Sequence, residues 1–329
     1  MKRIPTLRTW VKRAPLLRSA LFAAENIAAA IRYPPKPRNE HPPRYFLSAM
    51  IRVRDEGRFL PEWLAHHRLL GVEHCFLYDN NSSDDLDNLL EPFLVRGWVT
   101  RIPWPTVPAA PACYEHFLRC FGTCSQWVAF FDADEFLIES SPGRCLDMLH
   151  RFAGLPALAV NWRYCGSSGH QRIPDGLVTA QFERTASRLD SHVKVIAQPR
   201  HILRNRNSHN FFYRRGRLAR SCDGRRVFGS FIEPGAEMDL ELRHYVYRST
   251  EDYERKARGT FVDASGAAQR ARTIERAQME FHRHNDIIAP IAPATLAATA
   301  RLLGTLGYAS CLGAARSDPA PAPNFPCDC

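Results

Sequence analysis

Residues 127–131, Trp-Val-Ala-Phe-Phe, form an unbroken apolar run that stops at three carboxylates, Asp132, Asp134 and Glu135. The run reads as a buried strand, the kind found where a sheet is covered on both faces. Its acidic end then lies at the carboxyl edge of the sheet, where α/β folds bind ligands. Two carboxylates spaced Asp-x-Asp can hold a hard divalent cation, which in turn neutralises a diphosphate. Taken alone, the same pattern also describes a strand followed by a solvated acidic turn.

The preceding segment repeats the strand signal. Phe46–Val53 is a strand pattern followed by the turn Arg54-Asp55-Glu56-Gly57. Residues 59–70 carry Phe59, Trp63 and Leu70 at helical spacing, with Leu60, Leu64 and His67 beside them, and Gly71 as a stop. Val72–Tyr78 is a second strand, and the polar stretch 79–84 ends at Asp84, expected to cap the next helix. That helix runs to about Val95, a strand follows near 98–103, and a helix near 114–121 leads into the 127–131 strand. Strands alternating with helices predict a mostly parallel α/β sheet with right-handed crossovers.

Beyond residue 140 the pattern loosens. Strands are expected at 157–162 and 193–197, a loop at 166–170, and a charged helix over 250–286. Residues 205–229 carry no clear periodicity.

The 329 residues suffice for one large domain or two smaller ones. Net charge is +10, of which residues 1–40 contribute +7, with nine Lys or Arg against Glu25 and Glu40. The basicity belongs to an arm, which argues against nucleic acid as a partner of the globular part. Residues 1–31 read as a basic amphipathic helix suited to an anionic membrane surface, or as a loosely docked arm. A Pro-rich linker ends the arm at residue 43, a catalytic domain is expected over 44–290, and a helix and disordered tail over 291–329. No secretory signal or membrane span is evident, and the ten cysteines form no Cys-x-x-Cys pair. Reduced core thiols and a cytoplasmic protein, peripheral at the inner face of the membrane, are the expectation.

Three polar clusters thus follow successive strands: 54–56, 79–84 and 132–135. In a parallel sheet they share one edge. The stretch from Leu60 to Asp84 and the Trp127–Phe136 segment resemble bacterial family-2-like glycosyltransferases, and are similar in pattern to the family-92 group. The resemblance continues through Gly166–His170, His192-Val-Lys194, His209, and His244–Ser249 with Lys256, covering roughly residues 45–260. It implies a glycosyltransferase A-type (Rossmann-like) fold, a sugar donor in nucleotide-diphosphate form, foremost a UDP-sugar, and Mn²⁺ or Mg²⁺ at the Asp-x-Asp element. The acceptor would be a hydroxyl of a glycan, lipid or other molecule. One departure stands out: such families often carry Asn where this chain has Asp55, and an Asp cannot donate as an Asn amide does.

On this reading Asp134 is the first metal ligand, with Asp132 on ribose or metal and His244 as a later ligand; His209 is the alternative. Glu135 is either a ligand or an ion-pair partner behind the site. Arg54, Glu56, Asp79, Asn81, Asp132 and Lys256 are the expected donor-binding set. His170 and Glu183 are the candidate general bases, followed by Glu233. Trp162 and Tyr164 could stack on a sugar or pack in the core, and His67 and His116 read as core histidines.

Two rivals remain. A metal-dependent phosphohydrolase could use Asp132-Ala-Asp134, but Phe136 stands where a dehalogenase-type phosphatase needs Thr or Val. A non-catalytic carbohydrate- or membrane-surface module would suit the basic arm, but has no use for three aligned acidic clusters.

Overall fold

The computed structural model describes residues 15–32, 42–106, 111–259 and 283–308. Helix α1 (Pro15–Arg32) precedes the first strand. Strands β1 (Tyr45–Val53), β2 (His74–Asp79), β3 (Val99–Pro103) and β4 (Ser125–Phe130) then alternate with helices α2 (Leu60–Leu69), α3 (Leu86–Leu94) and α4 (Ala112–Cys120). These strands are parallel and lie in the order β3-β2-β1-β4. The chain therefore adds β2 and β3 on one side of β1 and crosses to the other side for β4. Such a reversal opens a crevice at the carboxyl ends of the two central strands.

Strand β5 (Glu135–Glu139), helix α5 (Arg144–Arg151), strand β6 (Ala157–Tyr164), helix α6 (Val178–Gln181), strand β7 (Arg184–Thr185) and strand β8 (Val193–Ala197) follow. Strand β8 inserts antiparallel between β4 and β6. Beyond it come β9 (Ile202–Asn205), β10 (Phe211–Tyr213), β11 (Ala219–Ser221), β12 (Arg226–Val227) and β13 (Leu240–His244). Strand β13 runs parallel to the end of β6 and antiparallel to β5. Helix α7 (Thr250–Gly259), strand β14 (Ile287–Ile288) and helix α8 (Pro293–Thr305) complete the described elements. The expected α/β sheet flanked by helices is present, parallel in its first half and mixed in its second.

The ten-stranded sheet separates two apolar layers. Leu47, Ala49, Ile51 and Val53 of β1 face one layer with Trp63, Leu64 and Trp127, whereas Met50 faces the other with Phe76, Phe117 and Phe130. Strict alternation along β1 supplies both faces, as a central strand requires. Where the alternation meets a polar residue, Ser48, its buried hydroxyl is paired with Ser125 Oγ at 2.7 Å.

Helix α2 is clamped to β5 by three of its side chains. Trp63 Nε1 donates to the Glu135 carbonyl at 2.7 Å, and His66 Nε2 donates to the Leu137 carbonyl at 2.8 Å. The Leu137 amide donates to His67 Nε2 at 3.3 Å, so the His67 proton sits on Nδ1 and points at the Trp63 carbonyl. Burial pushes the His66 imidazole down to about 4 and His67 well below its ordinary value. Both are neutral core histidines, as the sequence indicated for His67.

Several expectations need correction. Helix α3 is capped by Asp85, whose Oδ1 accepts from the Asn88 amide, and not by Asp84. Helix α7 is described to residue 259, and residues 283–288 form a turn and strand β14, so the charged helix does not reach 286. Within the N-terminal segment, α1 is not a loose arm. Phe22 stacks on Phe212 at 5.7 Å, and the buried Asn26 side chain donates to the Arg217 carbonyl while accepting from the Tyr213 amide. The basic residues 1–14 and the Pro-rich stretch 33–41 lie outside the described residues, as does the tail after 308. Helix α8 packs Leu303 into the main core, and the Tyr308 hydroxyl donates to the Leu89 carbonyl. Among the described residues no helix is long and apolar enough to cross a membrane. The seven described cysteines are all free thiols.

Candidate active site

Strands β1, β2, β4, β6 and β13 all end at one edge of the sheet, and the antiparallel β8 begins there. Every polar cluster singled out above is gathered at this edge.

The first two clusters are tied together. Asp55 has φ +55°, in the left-handed region that Asp and Asn tolerate best among residues with a side chain. Its Oδ1 accepts from both the Ser83 amide, at 2.6 Å, and the Ser83 hydroxyl, at 2.9 Å. The carboxylate is used as an acceptor, so the lack of an amide donor at this position costs nothing locally. The Gly57 amide donates to Asp84 Oδ2 at 2.6 Å, and a Cβ at residue 57 would lie as close to that oxygen. Only glycine permits this approach. Asp79 is held by Arg101 at 2.7 Å and by the Ser82 amide at 2.9 Å. Asn81 is exposed with φ +57°.

The third cluster is the centre of the site. Asp132 Oδ2 accepts from Lys194 Nζ at 2.6 Å, and Asp134 Oδ2 accepts from Lys256 Nζ at 2.7 Å. His244 Nε2 lies 3.6 Å from Asp134 Oδ1. Glu135 is fully buried behind them, its Oε2 accepting from the Asp132 amide at 3.0 Å and its Oε1 3.6 Å from Lys194. Burial raises the Glu135 carboxyl to about 7, against the pull of Lys194. Burial opposes ionisation of Asp134 as well, but Lys256 and His244 outweigh it and hold the carboxyl well below the usual carboxylate range. Asp132 is likewise held low, with Lys194 overcoming the effect of burial. In return Asp134 raises the His244 imidazole above its ordinary value despite burial.

Glu56 is held between two cations. Its Oε2 accepts from Arg248 at 2.7 Å, and Lys256 Nζ is 3.4 Å from its Oε1. The fully buried Arg248 guanidinium also donates to Asp252 at 2.9 Å and lies 3.5 Å over the Phe59 ring. A chain of ion pairs thus runs from Asp252 through Arg248, Glu56 and Lys256 to Asp134.

The structure brings together Asp134, His244 and Lys256, as the sequence reading required. Asp132, beside that group, is paired with Lys194. Among the described residues no group of three His, Cys, Asp or Glu stands ready to hold a metal. His209 Nδ1 is 3.1 Å from the Val193 carbonyl, and burial with Lys194 nearby pushes the imidazole down to about 4. Arg54 is half-buried at the end of β1, and its buried Nε has no partner among the described residues. His170 Nε2 meets the Gln181 carbonyl at 3.1 Å and its ring packs edge-on to Phe182, away from the carboxylates. Glu183 is half-buried at the start of the β7 segment, where its carbonyl accepts from Ala289, and Glu233 is exposed. His116 is a packing residue bonded to the Tyr78 hydroxyl at 2.8 Å. Trp162 is buried, and its ring contacts His244 at 4.4 Å and Tyr164 at 5.7 Å.

Sequence reasoning assigned no role to Lys194 or Arg248. Each carried a signal: Lys194 interrupts the apolar strand Val193–Ala197, and Arg248 stands four residues before Asp252. A cation on a buried strand needs an anion facing it.

Residues 55–214 match the family model for glycosyltransferase family 92. A family-92 glycosyltransferase of Ricinus communis is 32% identical over 165 residues, covering 48% of this chain and 29% of that protein. One of Oryza sativa subsp. japonica is 32% identical over 149 residues, covering 44% of this chain and 25% of that protein. These matches support a glycosyltransferase family, and the chain spans less than a third of the length of these relatives. Among solved structures, S. aureus TarS 1–349 aligns over 80% of this chain and 81% of its own at 11% identity and a TM-score of 0.36. Glucosyl-3-phosphoglycerate synthase of Mycobacterium tuberculosis, solved with Mn²⁺, UDP and glucosyl-3-phosphoglycerate, aligns over 44% of this chain and 49% of its own at 16% identity and a TM-score of 0.26.

Proposed function

We propose that the chain is a nucleotide-sugar-dependent glycosyltransferase of the A type, transferring a sugar to a hydroxyl of a glycan, lipid or other acceptor. The observation that carries this reading is the Asp134–His244–Lys256 group beside the central crevice, of which Asp134 lies within the family-92 match at 55–214 and the other two follow it in the chain.

Hard carboxylate oxygens beside an imidazole suit Mn²⁺ or Mg²⁺. The buried His244 Nδ1 without a partner is consistent with a side chain placed for a role outside the core. Asp134 and His244 would hold the cation, with Asp132 reaching it through water. The cation would supply neutralisation of the charge that develops on the leaving diphosphate. Lys256 is shared between Asp134 and Glu56, so it can exchange a carboxylate for a phosphate oxygen without leaving the edge. Arg54, with its unpartnered Nε at the end of β1, would contact the nucleotide. Asp79 and Glu56 act by holding Arg101 and Arg248 in place, a supporting role in place of the direct donor contact expected from sequence. UDP-sugars are the first donors to test.

The test is release of nucleoside diphosphate from a panel of nucleotide sugars with and without Mn²⁺. Metal-dependent release that falls by about 10²–10³-fold in Asp134→Ala is expected. Activity on phosphomonoesters with none on nucleotide sugars would overturn the reading in favour of a phosphohydrolase.

A further inference from the structure

We propose that His192, oriented by Asp190, is the general base that takes the proton from the acceptor hydroxyl. The proposal rests on the glycosyltransferase reading and adds a residue that reading leaves unassigned.

His192 stands immediately before β8, at the edge where β4 and β6 end. Side chains two apart on a strand share a face, so His192 projects with Lys194, whose ammonium is 2.6 Å from Asp132. It is therefore roughly 7 Å along the strand from the Lys194 position, towards the open edge. On the neighbouring strand the Trp162 amide donates to the His192 carbonyl at 3.0 Å. The Trp162 indole stacks on the His192 ring at 5.0 Å and meets the His244 ring at 4.4 Å. One indole thus separates His192 from the imidazole that faces Asp134.

The dyad itself is built for proton transfer. Asp190 Oδ1 is 2.6 Å from His192 Nδ1 and also accepts the His192 amide at 2.8 Å. The Asp190 amide is fixed in turn by the Trp162 carbonyl at 2.7 Å. A carboxylate on Nδ1 places the proton there and leaves Nε2 with its lone pair as an acceptor, the arrangement by which a base is held in the right tautomer. Among the described residues Nε2 has no hydrogen-bond partner, and the side chain is one-third exposed (33%). His209 and Phe231 border the ring at 5.7 and 4.4 Å. By contrast His170 has its Nε2 already committed to the Gln181 carbonyl.

In the step itself, Nε2 takes the hydroxyl proton as the acceptor oxygen forms its bond to the anomeric carbon. The bond from that carbon to the diphosphate oxygen breaks, and its electron pair leaves with the nucleoside diphosphate. The imidazolium then gives its proton to solvent. This is a single displacement, so configuration at the anomeric carbon inverts.

His192→Gln is expected to lower the transfer kcat by about 10²–10⁴-fold. UDP affinity should stay at the wild-type value, because Trp162 stands between His192 and the His244–Asp134 pair, and the melting temperature should fall only slightly, through loss of the stacking on Trp162. Imidazole added to His192→Ala should restore part of the rate, which a packing role would not allow. Asp190→Asn should lower kcat at least about tenfold by favouring the wrong tautomer. Transfer by His192→Gln at more than a third of the wild-type rate, no rescue by imidazole, or a retained anomeric configuration each overturns the proposal. If Asp134→Ala abolishes nucleotide release while His192→Gln transfers normally, only the base assignment fails. If the wild type releases nucleotide from no nucleotide sugar, both readings fail.

Discussion

The parallel strands before residue 140 and the late segment 240–259 bury the same kinds of group and do opposite things with them. In the early region His66 lies fully inside the fold against a carbonyl, and burial drives it to the neutral form. In the late segment His244 is enclosed beside Asp134 and is driven towards the charged form. The early region lays out Glu56, Asp132, Asp134 and Glu135. The late segment brings Arg248 and Lys256 against them, while β8 brings Lys194. A carboxylate edge is thus formed early in the chain and closed by cations that arrive 62 to 192 residues later. The site is therefore sensitive to the placement of the late segment, whose first strand, β13, is itself anchored on β5.

The largest effect that separates the two regions is expected at Arg248. Its guanidinium is 0% exposed and balances both Glu56 and Asp252. Arg248→Met removes the buried guanidinium from two carboxylates, leaving Asp252 to Arg255 and Glu56 to Lys256, and should cost about 3–5 kcal/mol in denaturant unfolding. A loss below about 1 kcal/mol would show that the network is solvated and that the regions do not differ as stated.

A smaller effect is expected from pH, and it isolates the early region. The unfolded His66 titrates at its ordinary value of 6.5, and burial depresses the folded one to about 4. The unfolded chain therefore binds more protons in this window. The stability that neutral His66 contributes is complete above the unfolded value and is lost as pH falls towards 4. The slope is at most about 1.4 kcal/mol per pH unit for this group. His66→Gln should flatten the curve of unfolding free energy by that amount between those two values, and an unchanged slope would contradict the neutral assignment. The carboxylates held low by lysines act in a separate, more acidic window, since their stability is lost only as pH falls below the ordinary Asp range.

The smallest effect is expected at Arg101, the early region's own cation. It pairs with Asp79 but is 25% exposed. Arg101→Met should cost about 1 kcal/mol or less. A cost matching that of Arg248→Met would remove the distinction between the buried late cation and the solvated early one.

The sheet edge was readable from sequence because β1, β2 and β4 are short apolar runs that each stop at polar residues, and a parallel sheet puts such stops together. Helix α2 was equally plain from its spacing of Phe59, Trp63 and Leu70. The cap at Asp85 was not, because Asp84 and Asp85 are chemically alike and only the Gly57 contact decides between them. The docking of α1 was missed because it depends on Phe22 and Asn26 fitting a distant strand pair, which local periodicity cannot report. In the candidate site, Asp134, His244 and Lys256 were found because each ends or follows a recognisable element. Lys194 and Arg248 stood among the residues that carry the resemblance but received no role, because their partners lie 62 and 192 residues away in the chain. His192 was also named there, but its pairing with Asp190 was not drawn for the opposite reason: the residues are two apart and look like an ordinary turn until Trp162 is seen beside them.

The central claim is that the Asp134 edge receives the diphosphate of a nucleotide-sugar donor. Calorimetric titration of UDP into the wild type and Asp134→Asn, each with Mn²⁺ and with chelator, tests it most directly. Binding to the wild type that requires Mn²⁺ and is lost in Asp134→Asn is the predicted result. UDP binding that is equally tight in both proteins, or indifferent to the metal, would contradict it.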